Sequence, residues 1–143
     1  KIRDFLRADL AAHENRPWKI VNHHRPIYSA STRHGTDTTL QMAWAPLYDQ
    51  FRVDLVLNGH DHNYERTHPM KNLQRQATPA EGTIYVVSGG AGASLYGNGT
   101  DFWTALSLMT HSALTVRVRR TMLVMDAFDP AGTPIDTLTI TKP

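Results

Sequence analysis

The chain has 143 residues, 41% of them apolar and 20% charged; this allows one globular domain and argues against a disordered chain. Its 15 Lys and Arg against 13 Asp and Glu leave a net charge of +2, too small a surplus for a nucleic-acid footprint, and no apolar run reaches the roughly 18 residues of a membrane span. Cysteine is absent, which excludes disulfide scaffolds, cysteine nucleophiles and thiolate zinc sites, whereas histidine is abundant at 8 residues.

Ile2, Phe5, Leu6 and Leu10 share one face at helical spacing, predicting an amphipathic helix over 2–14 that ends at the turn signal Asn15-Arg16-Pro17. A chain that opens inside a helix, with neither Met nor a leader pattern, is expected to lack residues upstream. Trp18–Asn22 reads as a short strand. Residues 25–39 are polar and rich in Ser, Thr and Gly, a long loop of the kind that carries function. Leu40, Ala43, Trp44, Leu47 and Phe51 resume helical spacing, with Pro46 expected to kink the helix or start a second one. Val53–Leu57 is a second buried strand, broken at Asn58-Gly59. Residues 67–82 read as a polar surface excursion, Thr83–Val87 as a third strand, and 93–112 give no clear pattern. Leu114, Val116 and Val118 alternate with polar residues; Met122–Phe128, a turn at Asp129–Gly132 and Ile135–Ile140 complete an antiparallel meander.

This order predicts an α/β fold, a mixed β-sheet with helix cover ending in antiparallel strands. The first two strands flank a helix and are expected to run parallel as neighbours. They then share one end, and ligand sites of open α/β sheets collect at the C-terminal edge. His24 follows the first strand, and His60 and His62 follow the second. Three imidazoles at adjacent strand ends suit one metal ion or two side by side. Each histidine alone reads equally as a solvated or hydrogen-bonded residue. His34, in the polar loop, is a candidate general acid or substrate contact, and Arg33 beside it a candidate holder of an anion; both read otherwise as solvated. His13, His68 and His111 have no partner pattern. Ser88–Ser94 is Gly-rich but lacks the third Gly of a dinucleotide loop and the Lys-Ser/Thr of a P-loop. It reads as a strand-ending turn that passes close to something bulky. Arg117–Arg120 reads as a solvated strand face.

Val21-Asn22-His23-His24, followed by Arg25-Pro26-Ile27-Tyr28, and Gly59-His60-Asp61-His62-Asn63-Tyr64-Glu65-Arg66 together resemble the last two metal motifs of purple acid phosphatases, V-x-x-H and G-H-x-H with its Tyr-Glu-Arg extension. These belong to the calcineurin-like metallophosphoesterases. The likeness runs from about Trp18 to Arg66 and implies the C-terminal half of an αββα sandwich. It also implies a metal-dependent, acid-phosphatase-like phosphoesterase that hydrolyses phosphate monoesters with a hydroxide activated by two metals, Fe with Zn, Mn or Fe. His24 and His60 would ligate the second metal and His62 the first. His34 stands where plant-type members place a histidine that contacts phosphate and protonates the leaving group; Arg33 stands where some members have another histidine. The family's earlier motifs, G-D-x-G, G-D-x-x-Y and G-N-H-E/D, are absent and expected upstream of Lys1. Residues 1–143 would therefore be the C-terminal portion of the catalytic domain, inactive alone and needing the N-terminal half as partner. The parent protein is expected to be secreted or periplasmic. A phosphodiesterase or nuclease of the same superfamily, and a non-catalytic metal-binding fragment, are the alternatives.

Overall fold

A computed structural model describes residues 1–143. Two helices, α1 (Ile2–Ala12) and α2 (Thr38–Phe51), accompany ten strands: β1 (Ile20–Asn22), β2 (Leu55–Asn58), β3 (Tyr64–Thr67), β4 (Met70–Lys71), β5 (Gln74–Arg75), β6 (Ile84–Ser88), β7 (Thr104–Leu108), β8 (Ala113–Val118), β9 (Met122–Phe128) and β10 (Pro134–Thr141). Five strands form a mixed sheet in the order β1-β2-β6-β3-β7. β1, β2 and β6 run parallel, while β3 and β7 pair antiparallel. A second, antiparallel sheet has the order β10-β9-β8, and β4 and β5 make a small hairpin.

Alternation along the central strands divides the core into two faces. Val56 and Tyr85 point to a helix-side cluster with Leu10, Ala45, Leu47, Tyr48 and Phe51. Their neighbours Leu55, Ile84 and Val86 point the other way, onto Leu123, Met125, Leu138 and Ile140 of the second sheet. Burial on both faces explains why β2 and β6 read as near-continuous apolar runs. The molecule is thus layered helix, mixed sheet, antiparallel sheet, the α/β architecture expected from the order of elements.

Four local features differ from the sequence reading. Leu10 is buried, but Ile2 and Phe5 on the same face of α1 are 68% and 70% exposed, because the helix packs on the core through its second half. Pro46 does not divide α2. Its ring removes the bond to the Met42 carbonyl, and both residues are exposed, so that acceptor is open to solvent. The excursion over 67–82 is anchored by Met70, 1% exposed at the core edge. The stretch 93–112 holds β7, half-buried along its whole length, so it carries neither the alternation of a surface strand nor the apolar run of a central one.

Candidate metal and phosphate site

The parallel pairing of β1 and β2 aligns Asn22 with Leu57, and the ladder continues past both strand ends. His23 N–H donates to the Leu57 carbonyl at 3.2 Å, and Gly59 N–H donates to the His24 carbonyl at 3.0 Å. The Asn58 side-chain amide donates to the His23 carbonyl at 2.8 Å. Residues 23–24 and 58–60 are therefore one fixed corner at the C-terminal edge of the sheet.

His24 and His60 project from this corner, with 3.2 Å between His60 Nδ1 and His24 Nε2 and 5.1 Å between ring centroids. His60 has a φ of +67°, a left-handed conformation that costs a non-Gly residue about 1–2 kcal/mol. Strain of this kind persists where the surroundings over-determine it, and it concentrates at functional sites. Desolvation, with the nearby His34, His24 and Arg25, lowers the His60 pKa against the opposing pull of Asp61. The shift is in the direction that favours the neutral form a metal requires. His62 stands slightly apart: its Nδ1 donates to the Ser94 carbonyl at 2.7 Å, leaving Nε2 as the free acceptor. No three His, Asp or Glu side chains of this chain close around a single point.

The loop 25–37 brings up the remaining candidates. It is polar, as its composition predicts, yet Ile27 and Tyr28 stitch it into the core at 0% and 2% exposure. Ser29 donates to buried Asp61 at 2.7 Å. This places the His34 ring 4.4 Å from His60. Arg33 lies over the Tyr96 ring, its Cζ 4.5 Å from the centroid, and the other face of the cluster is closed by His62, stacked on Tyr96 at 4.0 Å and 17°. A cavity of 260 Å³ opens here, lined by Arg25, Arg33, His34, Asp37 and His60. Arg25, which pairs with Asp37 at 3.3 Å, and Arg33 make the lining basic, and it suits an anion. A larger cavity, 740 Å³, lies at the opposite edge beside Asp54 and Thr83; no histidine lines it. Tyr96 is the site residue that sequence reasoning missed. Its one signal was position, two residues beyond the Gly-rich turn.

The donor set fits a metal. Two nitrogens bound to one ion at about 2.0–2.1 Å lie roughly 2.9–3.4 Å apart, and the His24–His60 contact falls within that span. A hydrogen bond from the other ring nitrogen, as His62 makes to Ser94, is the usual support of a ligating histidine. Residues 2–64 match the family model described as calcineurin-like phosphoesterase. Over these residues the chain is similar to the calcineurin-like phosphoesterases. It is 34% identical over 110 residues to an uncharacterized protein of Mycobacterium tuberculosis, covering 64% of this chain and 21% of that one. It is 35% identical over 98 residues to acid phosphatase A of Cryphonectria parasitica, covering 62% and 19%. The purple acid phosphatase PPD1 from yellow lupin (Lupinus luteus) seeds superimposes with a TM-score of 0.87 at 25% identity, over 96% of this chain and 28% of that one. The chain spans about a fifth of the length of the curated relatives it matches. Calcineurin-like phosphoesterases generally use a binuclear metal centre.

In this structure the Tyr-Glu-Arg extension is a buttress. Tyr64 donates to Asp136 at 2.6 Å, and Arg66 grips both oxygens of the same carboxylate at 2.6 and 3.0 Å, tying β3 to β10 across the two sheets. Glu65 points to the other side. It accepts from Ala30 N–H at 2.7 Å, from the Trp103 indole at 3.1 Å and from Thr104 at 2.8 Å. Its carboxylate therefore fastens the His34 loop to β7. Burial pushes the Glu65 pKa up, opposed by these three donors.

Gly89 explains the Gly-rich turn. A Cβ there would stand 2.2 Å from the Asp61 carbonyl oxygen and 3.0 Å from the Gly59 carbonyl carbon, so the bulky neighbour is the backbone that carries His60. Gly89→Ala is expected to cost about 1–3 kcal/mol in overpacking, read as a lower urea midpoint at unchanged slope, and to lower metal affinity with it.

Proposed function

We propose that this chain supplies the rear of the active site of a metal-dependent phosphatase acting on phosphate monoesters. The observation that carries this is the His24–His60 contact at 3.2 Å with the His34 ring 4.4 Å from His60, beside a basic cavity. The division of the histidines, His24 with His60 and His62 apart, supports two metal positions rather than one. The further ligands would come from residues outside this chain. Fe with Zn, Mn or Fe are the ions the motifs suggest, and export from the cytoplasm is the location.

Two bound cations would lower the pKa of a water and draw charge off the phosphate. The residues of this chain do the rest. His24 and His60 would hold one ion and His62 the other. Arg33 presents a planar fork to the phosphate oxygens and stabilises charge that spreads over them in the transition state. His34 gives its proton to the departing alkoxide oxygen. Asp61 and Glu65 keep the loop that carries His34 and Arg33 against the strand ends.

In the intact protein, His34→Ala is expected to retain its metal and to lose about 10²–10⁴-fold in turnover on alkyl phosphates. The loss should be smaller on nitrophenyl phosphate, whose leaving group needs no proton. Equal losses on both esters, or none, remove His34 from the acid role. The same assays with a bis-ester separate phosphatase from phosphodiesterase action.

A further inference from the structure

Tyr96 occupies the centre of the site without being one of its expected residues. Its ring stacks on His62 at 4.0 Å and 17°, carries the Arg33 guanidinium at 4.5 Å and makes a T-shaped contact with His34 at 5.6 Å and 63°. Its N–H donates to the His62 carbonyl at 2.9 Å. Three groups to which the proposed mechanism gives separate tasks thus share one aromatic ring.

The backbone around Tyr96 holds the ring in place. Thr32 N–H donates to the Gly97 carbonyl at 2.9 Å, and Gly99 N–H donates to the Ala30 carbonyl at 2.9 Å. Ser31 and Asn98 form an isolated antiparallel bridge between these two bonds. The loops approach closely, since a Cβ at Gly97 would come within 2.6 Å of Thr32 Oγ1. The segment 95–99 thereby runs as a short ladder along the loop that bears Arg33 and His34. Its fixed backbone delivers the Tyr96 ring between that loop and His62. Arg33 and His34 are both exposed side chains, so the contact with Tyr96 limits rotamer freedom that solvent would otherwise leave them.

We infer that Tyr96 is a positioning residue of this site: its ring sets the plane of the His62 imidazole on the metal side and the placement of Arg33 and His34 on the phosphate side. The inference rests on the proposed phosphatase reading for its catalytic consequence, but the positioning itself is a property of this chain's own side chains. Its consequence is large because displacements of about 1 Å at a reacting centre cost on the order of 10²-fold in rate, and support of a ligating histidine is worth about 10–100-fold in metal affinity.

The test compares Tyr96→Phe and Tyr96→Leu in the intact protein. At saturating Zn, Tyr96→Leu is expected to lose about 10–100-fold in kcat, with a larger loss on an alkyl phosphate than on nitrophenyl phosphate because His34 is displaced. Its Zn affinity should also fall, and Phe should recover both properties. A second measurement does not depend on turnover. In NMR spectra, the ring protons of the stacked His62 are expected to move downfield in Tyr96→Leu, as the shielding ring is lost, and those of His34 to shift as its ring neighbour goes; both should keep their positions in Tyr96→Phe, with His13 unmoved in both. A folded Tyr96→Leu protein with unchanged His62 and His34 resonances overturns the inference, as does a Phe variant as impaired as Leu. Shifted resonances in a protein that cleaves no phosphate ester uphold the positioning and count against the phosphatase reading alone.

Discussion

His60→Ala is expected to separate activity from stability. In the intact protein it should reduce phosphate-ester turnover by at least about 10³-fold, as loss of a group from a two-metal clamp removes both water activation and charge stabilisation. Stability should not fall with it. The His60 backbone sits at a φ of +67°, and its side chain is only partly buried against His24 and His34, so little packing is lost. His60→Gly makes the contrast sharper, because Gly adopts this conformation without the penalty of about 1–2 kcal/mol borne by other residues. The Gly variant should be inactive and at least as stable as the parent in thermal unfolding. A variant that keeps its turnover, or one that loses turnover only because it unfolds, removes His60 from the metal site.

Asp136→Ala should have the largest effect on stability. The carboxylate is the common partner of Arg66 and Tyr64 between the two sheets, with Arg66 19% and Asp136 7% exposed at their side chains. Removing it strands a half-buried guanidinium and a buried phenol, at a cost of about 3–5 kcal/mol. Burial alone would raise the Asp136 pKa, but the Arg66 and Tyr64 hydrogen bonds and the Arg66 charge hold it below the ordinary carboxylate range. A folded-state pKa lower than the unfolded one gives stability that is complete above the unfolded value, about 3.9, and is lost as the pH falls through the folded value. The gap between the parent and Asp136→Ala in urea unfolding should therefore be wide at pH 7 and narrow steadily below about pH 4. A gap that is independent of pH leaves the ion pair without a role.

The sequence carried the frame of this site because two local patterns implied one long-range contact. Apolar runs at Trp18–Asn22 and Val53–Leu57, with a helical period between them, specify parallel neighbours. Parallel neighbours bring residues 24 and 60 to one edge, and the histidine spacing did the rest. The meander 113–141 was legible for the same reason, since its strands alternate visibly around short turns. Other features depended on partners far away in sequence. Nothing near Tyr64-Glu65-Arg66 announces Asp136, 70 residues beyond Arg66, so the bracing role of this motif shows only in the fold. β7 has half-buried residues throughout and therefore no period to detect. Tyr96 reaches the site through a loop ladder that only the fold supplies. The exposure of Ile2 and Phe5 shows the opposite limit: helical spacing establishes a face, and the neighbours decide how much of it is covered.

Anomalous diffraction from crystals of the intact protein loaded with Zn tests the metal site most directly. A peak is predicted within about 2.0–2.1 Å of both His24 Nε2 and His60 Nδ1, with a second one on His62 Nε2. Zn bound elsewhere, or a His24–His60 pair still joined by its own hydrogen bond with no ion between the rings, would contradict it.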